Sequence, residues 1–253
     1  MKSKFLALSL GITFLGAPTA FATSNFTPGN FAALTSNAMT KSLVETVGLA
    51  ADHRAYMPAS ALGMSIGFDL GVDVTSISLP SDFVTAMNAA SAEGGVPSSL
   101  ILPKLNIHKG LPGNFDIGFS GIWYQGNSVN GFEVKWAPLP GSAALPALAA
   151  RLSYTNAKLF FLSTNTWKLD AVVSQDFVFV EPYAGFGFQL VDGKVDVSGA
   201  TSLPGGVSAS ASSFTEHFYV GLPIKLFLLR VTAEYDINFS GVSQYGAKAS
   251  LSF

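Results

Sequence analysis

From Leu62 to Thr75 the chain alternates without a break. Leu62, Met64, Ile66, Phe68, Leu70, Val72 and Val74 are apolar, and every residue between them is Gly, Ser, Asp or Thr. The same period runs from Leu229 to Ser240, where Leu229, Val231, Ala233, Tyr235, Ile237 and Phe239 alternate with Arg230, Thr232, Glu234, Asp236, Asn238 and Ser240. A strand sends successive side chains to opposite faces, so each segment has one apolar and one polar face. A helical period would scatter these charges around every side. Eight more segments read the same way, near 101–109, 114–125, 130–138, 146–157, 165–175, 178–190, 214–226 and 243–253. The count stays open between 138 and 165, where Pro140, Pro146 and Phe160-Phe161-Leu162 admit more than one register. Each segment has roughly the 9–11 residues, or slightly more, that a tilted strand needs to cross a bilayer. Two long connections, 76–100 and 191–213, follow the first and seventh strands and so fall on one side. The connections near 111–113, 138–142, 175–177 and 227–228 are short and fall on the other. That asymmetry is expected of a membrane barrel with long outer loops and tight inner turns. The pattern predicts an all-β chain: an antiparallel transmembrane β-barrel of about ten strands, with a partly helical segment ahead of it.

The final segment has Tyr245, Ala247, Ala249, Leu251 and Phe253 on one face and Gln244, Gly246, Lys248, Ser250 and Ser252 on the other. It resembles the terminal strand of bacterial outer-membrane β-barrels, whose closing phenylalanine is read by the barrel-insertion machinery. Leu102-Pro103-Lys104-Leu105-Asn106-Ile107-His108-Lys109-Gly110-Leu111-Pro112, with Phe115-Asp116-Ile117-Gly118, is similar to a recurrent segment of uncharacterised Gram-negative outer-membrane barrels. Glu181-Pro182-Tyr183-Ala184-Gly185-Phe186-Gly187 is similar to a strand of the same proteins. A fainter similarity is to fatty-acid-transporter barrels, which also carry a segment ahead of the wall. The resemblance implies an outer-membrane location, with membrane lipids and the barrel-assembly machinery as partners. It makes Tyr245, Leu251 and Phe253 the assembly signal, and implies no activity.

The other end fits export. Lys2 and Lys4 precede an apolar run from Phe5 to Leu15, and Ala20-Phe21-Ala22 has the small-x-small form of a signal-peptidase site. The expected organisation is a signal peptide over 1–22, an N-terminal segment over 23–59, and a barrel over 60–253. Within the N-terminal segment, residues 31–51 predict a helix with Leu34, Met39, Leu43, Val44 and Val47 on one face. That segment lies either in the periplasm or inside the barrel as a plug. In the first long loop, Ser81 and Asp82 start a second predicted helix, with Phe83, Ala86, Met87 and Ala90 along one stripe. The Gly- and Ser-rich second loop is expected to be irregular.

Composition sharpens the picture. Hydrophobic residues make up 49% of the chain and charged residues only 12%, about half the share usual in a soluble domain. The chain lacks cysteine, which excludes a disulfide framework, and a net charge of −2 gives no footprint for nucleic acid. If the apolar faces meet lipid, the opposite faces line the lumen. These are Asp69, Asp73, Lys104, Asn106, Asp116, Glu133, Lys135, Arg151, Lys168, Asp170, Glu181, His217, Arg230, Glu234, Asp236 and Lys248. Eight strands enclose a space that side chains fill, and ten are close to that case. Acids and bases in so narrow a space should pair with one another, with a selective filter or binding site as the alternative. Trp123, Tyr124, Trp136, Tyr154, Trp167, Tyr183, Tyr219, Tyr235 and Tyr245 suit interfacial girdles.

Catalytic chemistry is sparse. Of the three histidines, His53 precedes the barrel, His108 ends the second strand and His217 begins the eighth, so the two strand histidines fall at opposite ends. Metalloprotease, nucleophile-elbow and phosphate-loop motifs are absent, and no cofactor or metal is expected. An omptin-like site would need His217 with Glu216 and Glu181, Asp192 or Asp196 across the mouth. The expectation is a non-enzymatic, narrow or plugged pore for small or hydrophobic solutes. The alternative is a structural or surface-interaction protein acting through its two long loops.

Overall fold

The computed structural model describes residues 37–63, 67–81, 84–85, 98–124, 126–159, 162–196 and 208–253. Ten antiparallel strands form one closed barrel in chain order. They are β1 (Phe68–Ser78), β2 (Ser99–Leu111), β3 (Phe115–Tyr124), β4 (Asn127–Leu139), β5 (Ala147–Leu159), β6 (Leu162–Ser174), β7 (Tyr183–Asp196), β8 (Ser208–Leu226), β9 (Leu229–Asn238) and β10 (Ser243–Ser252). A helix, α1 (Asn37–Ala51), precedes them. β1 closes on β10 through nine paired residues, from Asp69↔Ser252 to Ile77↔Gln244. Phe68 and Phe253 complete the seam by exchanging backbone hydrogen bonds of 2.7 and 2.9 Å. Full closure leaves no strand edge unpaired, which a hydrocarbon environment requires.

Burial alternates along the wall with period two, and in β6 it does so at every residue. Leu70, Ile107, Val134, Leu152, Leu169, Phe188 and Val220 stand exposed on the outside. A continuous apolar outer face around a closed hydrogen-bond ladder identifies a membrane-spanning β-barrel. One end, here the mouth, carries the long connections after β1 and β7; the other, the base, carries the chain's last residue and the turn between β8 and β9.

The strand boundaries differ from the sequence pattern in three places. β1 starts at Phe68, not near residue 61: Gly63 has φ of 86°, and the Leu62 amide donates to the Asp116 carboxylate. The alternation through Leu62 therefore continues past a turn at the base. β7 starts at Tyr183, not residue 178, because the Phe177 amide donates to the Val180 carbonyl and Val178 has φ of 72°. β7 and β8 also extend to Asp196 and from Ser208, pairing in register into what reads as loop. Small alternating residues such as Ser208-Ala209-Ser210-Ala211 carry little hydrophobic contrast, so the pattern there is weak. Of the helix expected in the first long loop, Ser81, Val84 and Thr85 are helical. The rest of it lies outside the described residues, as do 197–207, Leu34 and the expected signal peptide.

Candidate functional site

The interior is filled by the chain's own N-terminal part. At the mouth the inward faces of the wall are apolar, and α1 packs there: Val44, Val47 and Leu49 meet Ile77, Leu102, Val129, Leu159, Leu162, Val191 and Val195. Small wall residues give the helix its room. The two Val44 γ-methyls lie 2.7 and 2.8 Å from where a β-carbon on Gly193 would sit, so only glycine leaves space for them.

Below the helix, residues 52–61 run to the base with no helix or strand of their own. Backbone without internal hydrogen bonds is tolerated at membrane depth only where protein satisfies it. The wall supplies those partners. Lys104 Nζ donates to the Asp52 carbonyl at 2.5 Å, Lys168 to that of His53 at 2.9 Å, and Asn106 Nδ2 to that of Arg54 at 2.7 Å. Lys248 Nζ donates to the Ala55 carbonyl at 2.8 Å, and Lys135 to those of Pro58 and Ser60 at 3.2 and 2.6 Å. Arg151 donates to the Met57 and Pro58 carbonyls. One strand residue after another thus holds one carbonyl after another.

The side chains of the threaded segment complete an ionic network. Arg54 donates to Asp52 at 2.9 Å, Glu234 at 3.0 Å and Asp236 at 2.8 Å. Asp52 also accepts from Lys168 at 2.8 Å. His217 bridges Asp170 and Asp236, each at 2.9 Å. Lys135 pairs with Asp116 at 2.7 Å and Lys248 with Asp69 at 2.6 Å. Tyr56 bonds Thr75, Tyr183 donates to Glu234, and the polar gap left beside Arg54 has room for no more than about one water molecule. At the base, Lys225 spans Asp176 at 3.0 Å and Glu181 at 2.8 Å, while Ser60 donates to Glu181 at 2.6 Å. Slight burial would raise the Asp176 carboxyl, but the Lys225 ammonium and the Val178 amide outweigh that and hold it below the usual range.

Fifteen of the sixteen residues assigned to the lumen are buried, and Arg230 is half-buried at the base, near Asp69. Asp73, Asn106 and Lys104 form one group, joined by an Asn106–Asp73 hydrogen bond of 3.0 Å. Glu133 lies beside Arg151 and His53, and Glu181 sits in the β6–β7 turn rather than on a strand. The two strand histidines meet the threaded segment at neighbouring residues. His108 packs beside His53 with ring centroids 5.5 Å apart, and His217 shares Asp236 with Arg54. Glu216 faces outward, away from His217, and Glu181 lies at the base.

No protein-family model and no curated protein matches this chain. Several solved structures resemble it. The N-terminal β-barrel domain of Pseudomonas aeruginosa OprF is 11% identical, over 72% of this chain and 97% of that one, with a TM-score of 0.35. Neisserial surface protein A is 15% identical, over 74% and 97%, with a TM-score of 0.33. Acinetobacter baumannii Omp33 is 9% identical, over 76% and 100%, with a TM-score of 0.31. These are distant likenesses to outer-membrane barrels. The fold itself is established by the closed strand ladder and the apolar outer face.

Two aspects of the interior differ from the sequence reading. Tyr183 and Tyr219 are buried inside the barrel, not placed in a girdle. Each ring lies over a glycine on the neighbouring strand, Tyr183 over Gly221 and Tyr219 over Gly185. Second, the wall cations do more than pair with wall acids, since most of them also hold carbonyls of the threaded segment. His53, Arg54 and Tyr56 carry much of the network and were missed as site residues. The available signal was Asp52-His53-Arg54, a compact charged triplet inside an otherwise apolar stretch.

Proposed function

We propose that this protein is a gated pore of the Gram-negative outer membrane, closed by its own residues 37–61. The supporting observation is how those residues are held. The wall closes through its own ladder, and the segment contributes no strand to it. Below α1 most of its polar groups are held by hydrogen bonds and ion pairs, which water can replace when the segment withdraws, while Ala59 packs in a small apolar cluster at the wall. A purely structural filling would be at least as stable if apolar, because buried ion pairs add little net stability. Carboxylates and amines left on the open wall suit small polar solutes of either charge better than hydrophobic ones. Outer-membrane lipids and the barrel-assembly machinery are the partners that this reading requires.

Arg54 is the point to test, since its removal leaves Glu234 without a cation and takes one partner each from Asp52 and Asp236, which keep Lys168 and His217. Arg54→Ala should destabilise the closed arrangement by about 3–5 kcal/mol. In planar-bilayer recordings of the full chain, the native protein should be mostly closed, and the variant should show frequent, discrete openings. A variant that is less stable yet equally silent would favour the structural role and overturn the pore.

A further inference from the structure

We propose that His53, His108 and Glu133 form a binding site for a borderline divalent transition-metal ion of the Zn²⁺ or Cu²⁺ type, tying the threaded segment to strands β2 and β4. The three side chains come from three separate parts of the fold. Among the described residues, they are the one group whose His and carboxylate ligand atoms converge within 4.8 Å of one another. His53 Nε2 and Glu133 Oε2 are 3.5 Å apart. Two ligands of a tetrahedral zinc with bonds of about 2.0–2.1 Å stand roughly 3.3 Å apart, so this pair is nearly in place. The His108 nitrogen lies within 4.8 Å of the other two ligand atoms, so its side chain must move towards them to complete the site.

Unpaired nitrogens are the second, independent observation. His108 is buried, and neither of its ring nitrogens has a hydrogen-bond partner. His53 Nε2 has none either, although the ring's other nitrogen lies 2.8 Å from Ser120 Oγ. With Nδ1–H donating to Ser120, the Nε2 lone pair faces Glu133, which is the way a supporting hydrogen bond orients a metal-binding imidazole. Buried polar atoms rarely go unpartnered, and an ion would account for two of these three nitrogens, one on each ring. The wall is cut back to admit both rings. His108 lies against Gly118, where any β-carbon would collide with it, and a β-carbon on Gly131 would sit 2.8 Å from His53 Cβ.

Two imidazoles and one carboxylate suit zinc or copper better than calcium or magnesium, which prefer all-oxygen sites. Nearby cations oppose a divalent ion, but the four lysines each face another carboxylate, and Arg151, 3.9 Å from Glu133 Oε1, is the one that shares a ligand with the site. Lys104 faces Asp73, Lys135 Asp116, Lys168 Asp52 and Lys248 Asp69. The ligands lie 25 and 55 residues apart along the chain, so no sequence motif announces them. The site does not depend on the pore reading: the metal would tie the segment to the wall in a gated or a permanently filled barrel.

The test uses the full-length barrel, refolded in detergent and stripped with a chelator. Titration with Co²⁺ should give one saturable equivalent with the visible bands of low-coordinate cobalt, and Zn²⁺ should displace it. His108→Phe, which keeps a ring against Gly118, should weaken binding by more than about 100-fold, and Ser120→Ala by about 10–100-fold. Heat-modifiable gel mobility reports that each variant is folded. Absence of a saturable equivalent in the native chain would overturn the site and leave a bridging water among these groups. Undiminished binding by folded His108→Phe would overturn it equally.

Discussion

Tyr183 shows where residue type misleads. The usual place of tyrosine at membrane interfaces argued for a girdle. The structure places it inside, where Gly221 opposite leaves room for the ring. Gly221→Val should therefore force the ring out of position and lower stability by about 1–3 kcal/mol, read as an earlier urea midpoint in lipid vesicles. An unchanged midpoint would mean that the ring does not rest there. The inward acids and amines were legible because a period of two separates the faces whatever the strand's exact ends. Their partners were not legible. The Arg54–Asp236 pair spans 182 residues and Lys248–Ala55 spans 193, and nothing local in the chain records such contacts.

For whole elements, strand number and order follow from alternation, and errors gather at the ends. Turn residues Phe177, Val178 and Phe179 form an aromatic and β-branched run of strand-like composition, and only backbone geometry separates them from a strand. Helix α1 was legible as a helix, but its position was not, since Leu43, Val44 and Val47 would suit any apolar surface. Facing can be tested on the wall. Ile237 is outward as expected and lies one residue from the mouth end of β9. Leu152, near the centre of β5 and exposed, is the better probe. Leu152→Arg should cost about 2–4 kcal/mol in vesicle unfolding, because it places a charge in the hydrocarbon core. The same substitution at no cost would mean that this face does not meet lipid.

Across the whole molecule, a self-sufficient wall encloses a chain segment that is held by apolar packing at α1 and largely by hydrogen bonds and ion pairs below it. The sequence showed the wall, because each strand carries its own signal, and left the segment's place open between periplasm and lumen. Deciding between them takes the sum of many contacts: the apolar mouth around α1, the glycines cut back for Val44 and His53, and the row of wall amines on successive carbonyls. Because the chain has no cysteine, a single introduced pair reports this arrangement directly. Val44 and Gly193 bring their β-carbons within disulfide reach, one on α1 and the other on β7. The decisive measurement is oxidation of Val44→Cys/Gly193→Cys in the inserted, folded barrel. Rapid, near-complete formation of an intramolecular disulfide, seen by gel mobility and protecting both thiols from maleimide, is the predicted result. Two thiols that stay free and label readily would place α1 outside the barrel and contradict the closed interior.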